Sequence, residues 1–273
     1  MFIFVPPSEG KSVPADGEPV DVRSLVLPRL ASVRESLVKS LSRLSSSKQP
    51  ARALEALGLS AGQTDELIRN QTLASAPAAP AADVYSGVLY EALDLPGLRA
   101  HEPEAYRRAQ ESVLVFSGLW GVVRPQDRIP YYRCSASATL PRLGPVTAVW
   151  RKALSAPLTE LVSEQLVVDL RSTGYTGMWR PAGPAAVART VTIRVVHERM
   201  IGGELKRSVV SHWNKATKGR LVRSVLVAGV EPKTPEEFAD ALRDLGFRVE
   251  NSGSGSGSGS APAGAFDVVV TEI

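Results

Sequence analysis

Three short apolar runs, each emptying into a polar loop with glycine or proline, constrain the fold more than any other feature. Residues 1–5 lead into Pro6-Pro7-Ser8-Glu9-Gly10-Lys11. Residues 112–116 precede Ser117-Gly118-Leu119-Trp120-Gly121-Val122-Val123-Arg124-Pro125, and residues 166–170 precede Arg171-Ser172-Thr173-Gly174-Tyr175. Runs of this kind, bounded by turn residues, read as buried strands. Between them the apolar residues change period. Leu30, Val33, Leu37, Leu41 and Leu44 fall three or four apart, as on one face of a helix, with Arg29, Arg34, Lys39 and Arg43 read as its solvated face. Residues 51–57, 61–69 and 103–110 read as further helices, residues 191–196 and 267–272 as strands, and residues 235–245 as a late helix. Alternation of this sort implies a mixed α/β fold, a central sheet flanked by helices with its loops gathered along one edge.

The chain, residues 1–273, is expected to form one domain. Within it, residues 51–70 make a helical hairpin, turning at Gly58-Leu59-Ser60 with Ser60 and Gln63 at capping-box spacing. Residues 252–260 alternate serine and glycine and read as a flexible loop.

Composition narrows the function. A chain of 273 residues with 44% hydrophobic and 22% charged residues and a mean hydropathy of −0.03 has the profile of a globular protein. It offers no apolar run of membrane-spanning length, and residues 1–6 lack the basic start of a secretory signal, so no membrane partner and a cytoplasmic location are expected. A single cysteine, Cys134, excludes an internal disulfide framework. With only His101, His197 and His212 beside it, neither a dedicated metal site nor a cofactor is expected. A net charge of +4 and a pI of about 9.3 mildly favour a polyanionic partner.

Two clusters carry possible chemistry. Ser8, Glu9 and Lys11 put a hydroxyl, a carboxylate and an amine within one turn of chain. The stretch from Arg124 to Arg133 places Arg124, Asp127, Arg128, Tyr131, Tyr132 and Arg133 in a loop fixed by Pro125 and Pro130. Arginine forks suit phosphate or carboxylate, although an Arg–Asp pair bracing an irregular connection fits the same letters. Glu9, Lys11, Arg124, Asp127 and Arg133 are therefore the candidate catalytic residues, with Ser8, Tyr85, Trp120, Tyr131, Arg171 and Ser172 as a candidate pocket. A phosphate-binding loop of the Walker type is rejected, because Val5 stands where its first glycine would be. A second basic element, Lys215-Ala216-Thr217-Lys218-Gly219-Arg220-Leu221-Val222-Arg223, supplies Lys215, Lys218, Arg220 and Arg223 as candidate phosphate contacts. Lys218 falls near the apolar side of that helix, where it either reaches an anion or snorkels.

The loop at residues 6–11, Tyr85-Ser86-Gly87-Val88-Leu89-Tyr90-Glu91-Ala92-Leu93, the stretches 117–125 and 127–133, and Asn214-Lys215-Ala216-Thr217-Lys218-Gly219-Arg220 together resemble the YaaA family of bacterial peroxide-stress proteins, in order and over nearly the whole chain. The resemblance implies a cytoplasmic α/β protein of hydrogen-peroxide resistance, linked to limiting free iron. It also implies duplex or structured DNA as a partner, bound through a helix-hairpin-helix element falling near residues 51–69 and a basic stretch at residues 215–220. The residues leave open whether the chain is an enzyme. Concentration of polar groups at strand ends suits an enzyme acting on a nucleotide, nucleobase or other anionic small molecule, or a sensor of one.

Overall fold

Val, Ile and Phe with no polar alternation make a strand only where both faces are covered, and the sheet is built around such a strand. A computed structural model describes residues 1–201, 204–208, 211–252 and 264–271. Its eight-stranded sheet comprises β1 (Phe2–Val5), β2 (Val113–Ser117), β3 (Gly121–Val123), β4 (Val167–Asp169), β5 (Thr190–Ile201), β6 (Glu204–Ser208), β7 (Arg248–Asn251) and β8 (Ala265–Thr271). Their spatial order is β7-β8-β5-β4-β1-β2-β3, with β6 also alongside β5. The inner pairs, β1 with β2, β1 with β4, β4 with β5 and β5 with β8, are parallel. The expected mixed α/β architecture is therefore present, as a mostly parallel sheet flanked by helices.

The flanking helices are α1 (Ala31–Ser45), α2 (Pro50–Leu57), α3 (Thr64–Gln71), α4 (Val88–Leu93), α5 (Pro103–Ser112), α6 (Val146–Leu161), α7 (Ser211–Ala228) and α8 (Pro235–Asp244). Phe4 and Phe116 from the sheet, Trp150 from α6, Leu221 from α7 and Phe238 from α8 belong to one contiguous core. α2 ends on Gly58 in the left-handed region (φ 66°), and Ser60 and Gln63 form a capping box that leads into α3.

Two local readings need correction. β5 runs past the expected end at residue 196 through His197-Glu198-Arg199, where the buried Glu198 carboxylate finds partners on β6, its neighbour, and on β7, the strand beyond β8. Arg207 of β6 lies 2.6 Å from it and Arg248 of β7 2.5 Å. Arg34 is not on a solvated face, as Arg29, Lys39 and Arg43 are, but fully buried. Its guanidinium donates to the carbonyls of Val22, Val26, Leu27, Trp120 and Val122 and fastens the irregular segment before α1 to the β2–β3 turn. Burial pulls its pKa down to about 10. Of the Ser/Gly stretch at 252–260, only Ser252 lies within the described residues.

β5 pairs with β4 over Thr190–Thr192 only and is next joined on this ladder by β6 at His197. Ile193 and Arg194 thus flank the C-terminal ends of β1 and β4, where the loops that follow those strands begin.

Candidate functional site

Pro6 and Pro7 stop β1 at the sheet edge, and the loop they start is tied down on its far side. Tyr90 donates its hydroxyl proton to the Pro6 carbonyl at 2.7 Å. The Ser86 and Ser12 amides donate to the carbonyls of Gly10 and Val84 at 3.2 and 2.8 Å. Gly87, at φ 93°, leaves room for the Ser8 hydroxyl, which lies only 3.0 Å from where a Cβ would stand. The start of α4 and the 6–11 loop therefore form one unit.

Within it, the Lys11 ammonium donates to the Ser8 carbonyl at 2.6 Å and sits 4.5 Å from the Tyr132 ring centroid. Burial lowers its pKa to about 8, opposed chiefly by the Glu9 carboxylate. Glu9 pairs with Arg133 at 2.8 Å, and Arg133 also donates to the Glu9 carbonyl at 3.0 Å. Arg133 is aimed by its own backbone, which the fully buried Asn70 of α3 clamps. The Asn70 side chain accepts from the Arg133 amide at 2.9 Å and donates to its carbonyl at 2.8 Å. Behind Lys11, Tyr85 and Tyr132 hydroxyls lie 2.8 Å apart, and Tyr132 and Ser117 hydroxyls 2.7 Å apart.

A cleft of about 500 Å³ opens beside this unit, with Pro6, Glu9, Leu89, Tyr175, Ile193, Lys215 and Lys218 among its walls. Lys218 donates to the Leu170 carbonyl at 2.9 Å; burial lowers its pKa, and the nearby Asp169 raises it. Lys215 is exposed at the rim, as is Ser172. Arg171, also in the wall, is a brace: it forks onto Asp169 at 2.9 and 2.6 Å, donates to the carbonyls of Tyr175 and Trp179, and stacks on Phe116 at 4.2 Å.

The remaining candidates do not line this cleft. Asp127 accepts from the amides of Val26 and Arg124 at 3.0 and 2.9 Å, holding the chain before α1; burial raises its pKa against those amides. Arg124 is half-buried beside it. Trp120 is fully buried with its ring edge against Tyr132. Tyr131 donates to the Glu66 carboxylate at 2.7 Å, under the Arg69 guanidinium. Arg223 caps α4 by donating to the carbonyls of Leu93 and Asp94, while Arg220 is exposed. Asn70, Ser117, Tyr132 and Tyr175, none of which was among the candidate site residues of the sequence, complete the cluster. Only the adjacent tyrosines 131 and 132 hinted at it.

Residues 1–252 match the family model described as Peroxide stress protein YaaA. The chain belongs to the YaaA family. Its relatives include a UPF0246 protein of Streptomyces coelicolor, 48% identical over 250 residues that cover 92% of each chain. A UPF0246 protein of Corynebacterium efficiens is 38% identical over 252 residues, 92% of this chain and 95% of its own. An uncharacterised protein of Campylobacter jejuni is 25% identical over 222 residues, 81% and 83% of the two chains. The span that matches the YaaA family includes the 6–11 loop, the arginine loop and α7. Membership in a family of peroxide stress proteins accords with a role in oxidative stress. Among the described residues of this YaaA-family chain, no three His, Cys, Asp or Glu side chains gather as a metal site, and no helix is long and apolar enough to cross a membrane.

Proposed function

We propose that this chain serves the peroxide-stress response, in the cytoplasm and as a single domain, by binding an anionic small molecule of the nucleotide or nucleobase class in the cleft at the ends of β1 and β4. The observation that carries this is the charge balance. Lys215 and Lys218 line the cleft, and Arg133 and the buried Lys11 stand behind its Glu9 end; among the described lining residues Glu9 carries the one carboxylate, while Leu89 and Ile193 supply an apolar wall. Glu9, held by Arg133 near an amine whose pKa burial lowers to about 8, has the equipment for proton transfer to or from a bound ligand.

Calorimetric titration with adenosine monophosphate tests the reading. Binding should weaken about tenfold in a Lys215→Ala/Lys218→Ala variant, and an absence of binding to the unaltered chain would sink it. Glu9→Gln, with retained binding but no turnover of a substrate found this way, would assign Glu9 the acid/base role.

A second reading, phosphate-mediated binding of duplex DNA, is favoured by one observation: Lys215 and Arg220 are both exposed on α7, and the Gly58 turn between α2 and α3 faces open space. Replacing Lys215 and Arg220 by alanine should then lower the salt dependence of binding by about two released counterions. Arg223 and Lys218, occupied by carbonyls, should contribute less to that slope.

A further inference from the structure

The cluster behind Glu9 holds more protons than acceptors. Ser117, Tyr132 and Tyr85 form a linear chain of three hydroxyls with two links, so one hydroxyl proton is left over whichever way the chain runs. Ser117 Oγ already accepts from the amides of Leu119 and Trp120 at 3.2 and 3.0 Å, which occupies both lone pairs and makes it donate to Tyr132. The unmatched proton therefore sits at the tyrosine end, on Tyr85 or Tyr132, whose rings are 3% and 1% exposed. Lys11 adds to the excess. Of its three ammonium protons one goes to the Ser8 carbonyl; the nitrogen lies 4.5 and 5.7 Å from the centroids of Tyr132 and Tyr85, and no carboxylate is within ion-pair distance among the described residues. Tyr175 links this cluster to the cleft: it lines the cleft, and its phenol lies within electrostatic reach of the Glu9 carboxylate and of the Tyr85 hydroxyl. Buried donors arranged without acceptors are complementary to an anionic oxygen.

We propose that Lys11 and the Tyr85–Tyr132 hydroxyl pair jointly bind one negatively charged oxygen, from a carboxylate or a phosphate group, at the inner end of the cleft. This rests on the anionic-ligand reading above and specifies where the charged end of the ligand goes. Ser117 is a positioning residue, fixing the direction of the hydroxyl chain. The Glu9–Arg133 pair stands at the entrance. Glu66, Cys134 and Arg133 also face Lys11; Glu9, Glu66 and Cys134 favour its protonated form, and the Arg133 guanidinium opposes it.

Inorganic phosphate and acetate, titrated separately by calorimetry, distinguish the two sources of the oxygen. Either anion should bind at least tenfold more weakly to Lys11→Met and to Tyr85→Phe/Tyr132→Phe. Tyr85→Phe alone should lose no more than about threefold, because the unmatched proton then passes to Tyr132. Acetate, which does not titrate itself in this range, should lose affinity as pH rises through about 8 in the unaltered chain and not in Lys11→Met. Circular dichroism identifies any variant that fails to fold; if the double tyrosine variant does, Lys11→Met and the acetate pH profile decide. Binding kept by Lys11→Met and the tyrosine variants but lost in Lys215→Ala/Lys218→Ala would overturn this assignment and leave the anionic-ligand reading standing. No binding of either anion to the unaltered chain would overturn this assignment, and the adenosine monophosphate titration then decides the anionic-ligand reading by itself.

Discussion

Gly219 of α7 lies so close to the Leu89 carbonyl of α4 that a methyl group there would overlap it, and the Ala92 methyl crowds the same point. Lys215 and Lys218 precede this contact on the helix, and Leu89 is itself part of the cleft wall. The distance between the two helices thus sets the width of the cleft.

Gly219→Ala opposes two effects. Alanine in a helix interior gains roughly 1 kcal/mol over glycine, whereas the overlap forces apart helices that Arg223 pins together at the end of α4. Overpacking against backbone should win, with a net loss of about 1–3 kcal/mol. Urea denaturation measures it, and an unchanged or raised midpoint would contradict the close contact.

Lys11 makes stability depend on pH with a definite sign. Its pKa is about 8 in the folded chain against an ordinary 10.5, so between those values the unfolded chain binds more protons and stability rises with pH. Below about 8 the folded protein bears the full cost of a desolvated ammonium. Thermal melts should show a gain on the order of 1–3 kcal/mol from pH 8 to 10.5, after subtracting the profile of Lys11→Met. That variant should also be the more stable one at pH 7, while binding anions poorly.

Arg34 should be among the most sensitive positions in the chain. Removing its guanidinium leaves five buried or half-buried carbonyls without their donor, and Arg34→Met should cost about 3–5 kcal/mol. Arg34→Lys should rescue little, since an ammonium cannot span both the segment before α1 and the β2–β3 turn. Chemical denaturation of the two variants, with limited proteolysis of residues 20–28, tests this directly.

Cys134 is the one thiol, and burial pushes its pKa up to about 12. The thiolate that reacts with peroxide is thus nearly absent at neutral pH. An aromatic disulfide reagent should label the native chain far more slowly than the urea-unfolded one, and Cys134→Ala should leave peroxide resistance in cells unchanged. Rapid labelling of the native chain would show the thiol to be accessible and would reopen a direct role for it.

What could be read from the letters follows from how locally each feature is encoded. β1, β2 and β4 announce themselves because strands covered on both faces are continuous apolar runs, and their loops deliver Glu9, Lys11 and Arg171 to one edge. The hydroxyl chain is invisible, since Ser117, Tyr132 and Tyr85 are brought together only when β2, the arginine loop and the segment before α4 converge. Asn70 sits in the polar sequence of α3, and only its clamp on Arg133 reveals its purpose. Arg34 did leave a trace: it follows Leu30 by four positions and precedes Leu37 by three, so the apolar period itself assigns it to the inner face.

The position of β1 has a consequence for synthesis. This strand lies between β4 and β2, yet it is translated well before either, whose registers begin at Val167 and Val113. On the ribosome an apolar tetrapeptide emerges with no neighbour to accept it, while the locally encoded α1 to α3 can already form. Not until residue 169 has left the exit tunnel can the centre of the sheet close. Glu9 and Lys11, early in the order of translation, are among the last side chains to reach their working positions.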